Sequence, residues 1–238
     1  MDIVDRVDAL LERVDRACER AGRRPEDVLI LLATKTRSPE EIAAALTALR
    51  EAGRRVAVGE NRAQETAKHD DPLLLTFRQG PDPVERHFIG RLQTNKAKDA
   101  VAFADVVESV DRDDLVEALA RRAELADREL RVMVQVNTSG EDSKGGYAPT
   151  AEAVARAAEA MAATGRLHPV GLMTIGAHTE DPEAVRASLA LLRRLRDEVA
   201  RPGLTELSMG MSGDLEMAIE EGATVVRPGS AVFGPRVM

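Results

Sequence analysis

Tryptophan is absent from this 238-residue chain, tyrosine occurs once, at Tyr147, and aromatic residues make up only 2% of the sequence. Broad stacking platforms for bases or sugars are therefore scarce. The one cysteine, Cys18, permits neither an internal disulfide nor a thiolate metal cluster. No stretch approaches the roughly 18 apolar residues that a membrane span requires. The N-terminal MDIVDRVDALLERV alternates charged and apolar residues, the pattern of an amphipathic helix and not of a secretory signal. Positive charge is in deficit too: 33 Lys and Arg stand against 41 Asp and Glu, a formal net charge of −8 that repels phosphodiester backbones. The expectation is a cytoplasmic globular protein with neither nucleic acid nor membrane as a partner.

What the chain does contain is a regular alternation. Short apolar, β-branched runs recur at Val28–Thr34, Arg55–Val58, Arg86–Ile89, Asp105–Ser109, Arg131–Asn137, His168–Thr174, Thr205–Ser208 and Thr224–Arg227. Amphipathic stretches such as Pro39–Ala52, Asp111–Leu130, Ala151–Thr164 and Pro182–Ala200 lie between them, with apolar residues at three- and four-residue spacing. Ser38-Pro39-Glu40-Glu41 reads as a helix start, and Gly53 and Gly165 as helix ends. Strands separated by crossovers of helical length pair in parallel. The reading is an α/β fold, a single (βα)8 barrel over residues 1–238 with a short eighth helix. An extra N-terminal helix, about Asp2–Ala21, covers the gap this leaves. A doubly wound open sheet is the alternative, although no G-x-G-x-x-G follows the first strand.

Chemistry in such a barrel sits at the C-terminal ends of the strands. There the first strand delivers Lys35 after an apolar run and Thr34. Its amine either attacks a carbonyl to form a Schiff base or pairs with a rim carboxylate. Ser212-Gly213 precedes a helix over Asp214–Glu221, and Gly229-Ser230 follows the eighth strand. Both read as phosphate holders or as a helix cap and a tight turn. Arg227 beside them holds an anion, faces a ring nitrogen or pairs with a carboxylate. His87 lacks a second His or Cys at ligand spacing and reads as a satisfied core or rim histidine. Gln93–Lys98 reads as a solvated helix start or an anion contact, and Ser139–Tyr147 as a rim loop. Met209, Met211 and Met217 are core filler and the soft wall of a pocket.

Together these blocks resemble the pyridoxal phosphate homeostasis proteins, small single-domain relatives of the alanine racemase barrel. LLATKTRSPEEI, VGENRAQE, HFIGRLQTNKAKD, VQVNTSGEDSKGGYAP, GLMTIGA and LSMGMSGDLEMAIEEGATVVRPGSAVFGPR occur in the family's order, from Val28 to Arg236. The resemblance implies that Lys35 carries pyridoxal 5′-phosphate (PLP) as an aldimine. It also implies that Ser212, Gly229 and Ser230 hold the phosphate and that Arg227 faces the pyridine nitrogen. Asn61, His87, Met173, Ser208, Met209 and Gly213 lie on matching blocks near the cofactor. The chain departs from the family pattern at Arg62 (tyrosine), Arg86 (tryptophan), Gly213 (aspartate) and Ser230 (threonine).

An alanine racemase adds a C-terminal β-domain that supplies a tyrosine base. This chain ends after the barrel, which leaves no second base, and its only tyrosine lies after strand five. The implied role is a monomeric PLP carrier that buffers the cofactor or passes it to apo-enzymes, with effects on vitamin B6 and amino-acid pools. A low-activity racemase and a cofactor-free phosphosugar lyase are the rivals.

Overall fold

Along Leu29–Ala33, strand β1, the side chains divide between two cores because successive residues point to opposite faces. Leu29 and Leu31 join an inner cluster with Ala57, Ile89, Val106, Met133, Met173 and Val225, whereas Ile30 and Leu32 join a larger cluster shared with the helices. The computed structural model describes residues 2–141 and 144–235.

Helix α1 (Ile3–Arg20) precedes β1, and α2 (Pro39–Glu51) leads to β2 (Val56–Glu60). A 3₁₀ stretch over Ala63–Asp70 and the short α3 (Pro72–Leu75) connect β2 to β3 (Glu85–Phe88). Then come α4 (Ala97–Phe103), β4 (Val106–Val110), α5 (Asp113–Leu125), β5 (Leu130–Gln135) and α6 (Ala151–Ala163). The chain continues through β6 (Leu167–Met173), α7 (Pro182–Val199), β7 (Glu206–Ser208), α8 (Leu215–Glu220), β8 (Val225–Val226) and α9 (Ser230–Phe233).

Every strand pairs in parallel with its sequence neighbour. Strand β8 returns to β1 through Leu29–Val225 and Ile30–Val226. The sheet is therefore a closed barrel, and the open alternative is excluded.

Helix α1 does cover the gap at the barrel's end. Asp2 and Asp5 form a reciprocal capping box, and Val7, Leu10, Leu11, Val14, Ala17 and Cys18 form its buried stripe. The helix packs on α2, α8 and α9. Each fully buried Val or Leu of that stripe contributes about 1.5–3 kcal/mol. Ser38 and Glu41 form a second capping box ahead of α2.

Two expectations shift. The helix expected over Asp111–Leu130 is confined to Asp113–Leu125, because Asp127 turns left-handed at φ +46° and Leu130 opens β5. The helical turns between β2 and β3 are too short to show a sequence period. No helix among the described residues is long and apolar enough to cross a membrane, and no cluster of His, Cys, Asp and Glu among them could hold a metal.

Candidate functional site

The C-terminal ends of the strands surround a cavity of about 450 Å³. Ala33, Ile89 and Met173, all packed in or against the inner cluster, also line it, so the cavity caps the apolar barrel interior. Lys35 and Thr36 enter from the β1 turn, Asn61 directly after β2, Arg227 directly after β8, Ser212 and Gly213 from the β7 loop, and Gly229 and Ser230 from the β8 loop. Of the residues singled out in the sequence, the cavity gathers Lys35, Asn61, Met173, Met211, Ser212, Gly213, Arg227, Gly229 and Ser230.

His87, Ser208 and Met209 do not line the cavity. Met209 follows the inward-facing Ser208, so strand alternation turns it into the outer core, fully buried. His87 and Ser208 belong to a buried polar line below the cavity floor. His87 Nε2 lies 3.3 Å from Glu85 Oε2, and Nδ1 lies 2.7 Å from Glu108 Oε1. The Ser208 hydroxyl donates to Glu108 Oε2 at 2.6 Å and accepts from Arg227 Nη1, also at 2.6 Å. Arg227 Nη2 donates to the Thr174 carbonyl at 2.6 Å.

Burial by itself would lower the His87 pKa, but Glu108 and Glu85 outweigh it and hold the imidazole up to about 9. His87 in turn holds the Glu85 carboxyl down to about 2, against burial and with help from Arg131. Burial raises Glu108 towards neutrality, yet His87 and Arg227 prevail and keep it below its usual range. Burial also lowers Arg227, with Glu108 and Asp214 opposing, and a guanidinium remains charged through any such shift. The floor of the cavity is thus a fixed, oriented cation.

Ser212 does not cap α8, so the helix-cap alternative for this residue falls away. The N-cap position is Asp214, which makes no side-chain cap hydrogen bond; its Oδ1 accepts from the Met211 amide at 2.7 Å, before the helix starts. The Ser212 hydroxyl instead accepts from the backbone amides of Gly229 (3.2 Å) and Ala231 (3.0 Å), joining the two loops. With its oxygen so used, the hydroxyl proton is left to donate. The Ser212 carbonyl accepts from Arg13 Nη2 at 2.9 Å, which ties the loop to α1. Gly210 at φ +88° lets the β7 loop pass close to α8, where a Cβ would come within 2.4 Å of Ala218 Cβ.

Some participants were not singled out in the sequence. Glu108 is one, although a lone carboxylate inside the apolar run VVESV was a usable signal. Arg37 lines the cavity, donates to the Gly234 carbonyl at 3.0 Å and stacks over Phe233. Tyr147 is buried outside the cavity, its hydroxyl donating to Asp113 Oδ1 at 2.8 Å. Residues 142 and 143 of the rim loop lie outside the described residues.

The profile of the alanine racemase N-terminal domain matches residues 6–237. The pyridoxal phosphate homeostasis protein of Aquifex aeolicus is 41% identical over 239 residues, 99% of each chain. The chain belongs to the pyridoxal phosphate homeostasis protein family. Among solved structures, an unknown protein from Bifidobacterium adolescentis superposes with a TM-score of 0.88 at 40% identity, covering 97% of this chain and 94% of its own. PipY of Synechococcus elongatus, solved with PLP bound, superposes with a TM-score of 0.72 at 30% identity, covering 93% of this chain and 100% of its own.

Two of the departures from the family pattern lie away from the cavity. Arg62 is exposed at the start of the β2 loop, while Arg86 packs over Phe103 and sits 3.6 Å from Asp70. Gly213 does line the cavity, with open space where a Cβ would stand. A Cβ is therefore accommodated there but not required by packing.

Proposed function

We propose that this chain binds PLP in the cavity, holds it covalently through the Lys35 amine, and serves as a carrier in cellular PLP homeostasis rather than as an enzyme. The observation that carries the reading is the convergence of Lys35, Arg227, Ser212, Gly229 and Ser230 on one space of about 450 Å³. This donor set fits the group: an amine for an aldehyde, hydroxyls and glycine backbone for a phosphate, and a buried guanidinium for a ring nitrogen. The name of the Aquifex relative and the PLP in PipY support it.

When bound, PLP supplies an electrophilic carbonyl and an electron sink. Arg227 cannot surrender its proton, so a ring nitrogen beside it stays unprotonated and the sink is weak. Tyr147, the only tyrosine, hydrogen-bonds Asp113, and burial together with that carboxylate pushes its pKa up. Both features favour holding over carbanion chemistry. Supply to apo-enzymes, with its effects on vitamin B6 and amino-acid pools, is the corresponding cellular role.

Absorbance of the purified protein before and after borohydride, followed by peptide mapping, tests the attachment. The cofactor should be fixed to Lys35, and Lys35→Ala should keep only reversible binding. Full-occupancy fixation in Lys35→Ala sinks the assignment. A low-activity racemase remains the rival, favoured by the match to the alanine racemase profile. Exchange of the α-hydrogen of L-alanine in deuterated water above ~1 s⁻¹ would establish it.

A further inference from the structure

The backbone on both sides of Lys35 is fastened by charged side chains of one segment, Glu60 to Lys68, and none of the three lines the cavity. Before Lys35, the Thr34 carbonyl accepts from Lys68 Nζ at 2.7 Å and the Thr34 hydroxyl donates to Glu60 Oε1 at 2.5 Å. After it, the Thr36 amide donates to Glu65 Oε2 at 2.5 Å. Lys68 Nζ also lies 2.8 Å from Glu60 Oε1 and 3.2 Å from Glu65 Oε2, so a single ammonium joins both clamps. His69 Nε2 packs on Glu60 Oε1 at 2.8 Å.

The fastened turn is strained. Thr36 has φ +64°, a left-handed conformation that a β-branched residue adopts only under constraint. The clamp is itself costly, because Glu60 is fully buried and its Oε2 has no hydrogen-bond partner among the described residues. Strain on one side and a buried carboxylate on the other are held together through Lys68.

We infer that Lys68, acting with Glu65 and Glu60, is a positioning residue that holds the Lys35 turn in its strained conformation and so aims the lysine at the cavity. The inference rests on the proposed role of Lys35 for its functional consequence. Attachment joins the lysine nitrogen to the aldehyde carbon, and the carbonyl oxygen departs with the two amine protons as water. Lys68 takes no part in that exchange and acts only through Thr34 and Thr36.

The test compares full-length wild type with Lys68→Met, Lys68→Arg and the double variant Lys68→Met/Thr36→Gly. Hydrogen exchange at the Thr36 amide is read without cofactor, and the rate of PLP attachment is read by absorbance. Lys68→Met should speed Thr36 exchange and slow attachment, each by at least about fivefold, the scale of a left-handed penalty. Lys68→Arg should restore most of the rate. Thr36→Gly should restore attachment in the Met background, since glycine carries no penalty at positive φ. Should Lys68→Met fail to fold, Glu65→Ala takes its place with the same expectations.

Unchanged exchange and attachment in a folded variant overturn the inference. So does slowed attachment that glycine does not rescue, which indicates general loosening. A wild type that never attaches PLP defeats the proposed function instead, and Thr36 exchange still decides the clamp.

Discussion

Arg227 and Glu108 face each other across the barrel interior at 4.0 Å, with the Ser208 hydroxyl bridging them at 2.6 Å on either side. The serine keeps the guanidinium from closing onto the carboxylate and leaves Arg227 bonded to the Thr174 carbonyl at the cavity floor. Glu108 meanwhile serves His87 with its other oxygen. One carboxylate thereby anchors two buried cations, and its loss would leave both uncompensated.

Ser208→Ala should destabilise the fold by about 1–3 kcal/mol, since Arg227 Nη1 and Glu108 Oε2 each lose a buried partner. Urea unfolding measures this. A change below a few tenths of a kcal/mol would mean that the bridge carries little energy.

Stability should fall as pH rises through the His87 transition. Folded His87 holds its proton up to about 9 against an ordinary value of 6.5. Its stabilising contribution is complete below the lower value and is lost as pH climbs through the upper one. Glu85 acts in the opposite direction: its contribution is present above its ordinary 4.5 and is lost as pH falls towards about 2. Unfolding free energies measured from about pH 6 to about pH 10 should decline more steeply in wild type than in His87→Gln, where only the raised Cys18 and Tyr147 groups leave a fall near the alkaline end. A flat wild-type profile rules out the buried imidazolium.

Ser212→Ala should weaken phosphate capture. It deletes the proposed donor to the anion and leaves the Gly229 and Ala231 amides without their acceptor. In a Lys35→Ala background, the dissociation constant for pyridoxine 5′-phosphate, which has no aldehyde, should rise about tenfold. Equilibrium dialysis provides the readout, and unaltered affinity removes Ser212 from the phosphate cup.

Arg13→Met should loosen the β7 loop at modest cost. Arg13 makes a bidentate pair with Glu216 at 2.6 and 2.8 Å and also donates to the Ser212 carbonyl. The pair is about a third exposed, so solvent screens it, and the expected loss is about 1 kcal/mol. A double-mutant cycle with Glu216→Gln should recover most of that coupling at low salt and less at high salt.

Strand ends and helix caps were legible in the sequence because they are local events. An apolar run stops, a Ser-Pro-Glu-Glu start follows, and the residue at the junction is the one delivered to the rim. That logic placed Lys35 after β1 and Gly229 and Ser230 after β8, and the cavity gathers all three. The alternation of eight strands with helical crossovers likewise left a closed parallel barrel as the leading architecture.

Tertiary structure decided which residues meet. Ser208 and Met209 are adjacent in sequence and similar in promise, yet the pleat sends one into the barrel interior and the other into the helical shell. Glu108 lies on β4, Ser208 on β7 and Arg227 directly after β8, and only barrel closure brings them within hydrogen-bonding reach. The same holds for Lys68, whose ammonium reaches back past a whole crossover to the turn bearing Lys35. The chain's local periodicity fixes where each strand ends, but contacts between distant segments depend on register and curvature, which exist only once the sheet has closed.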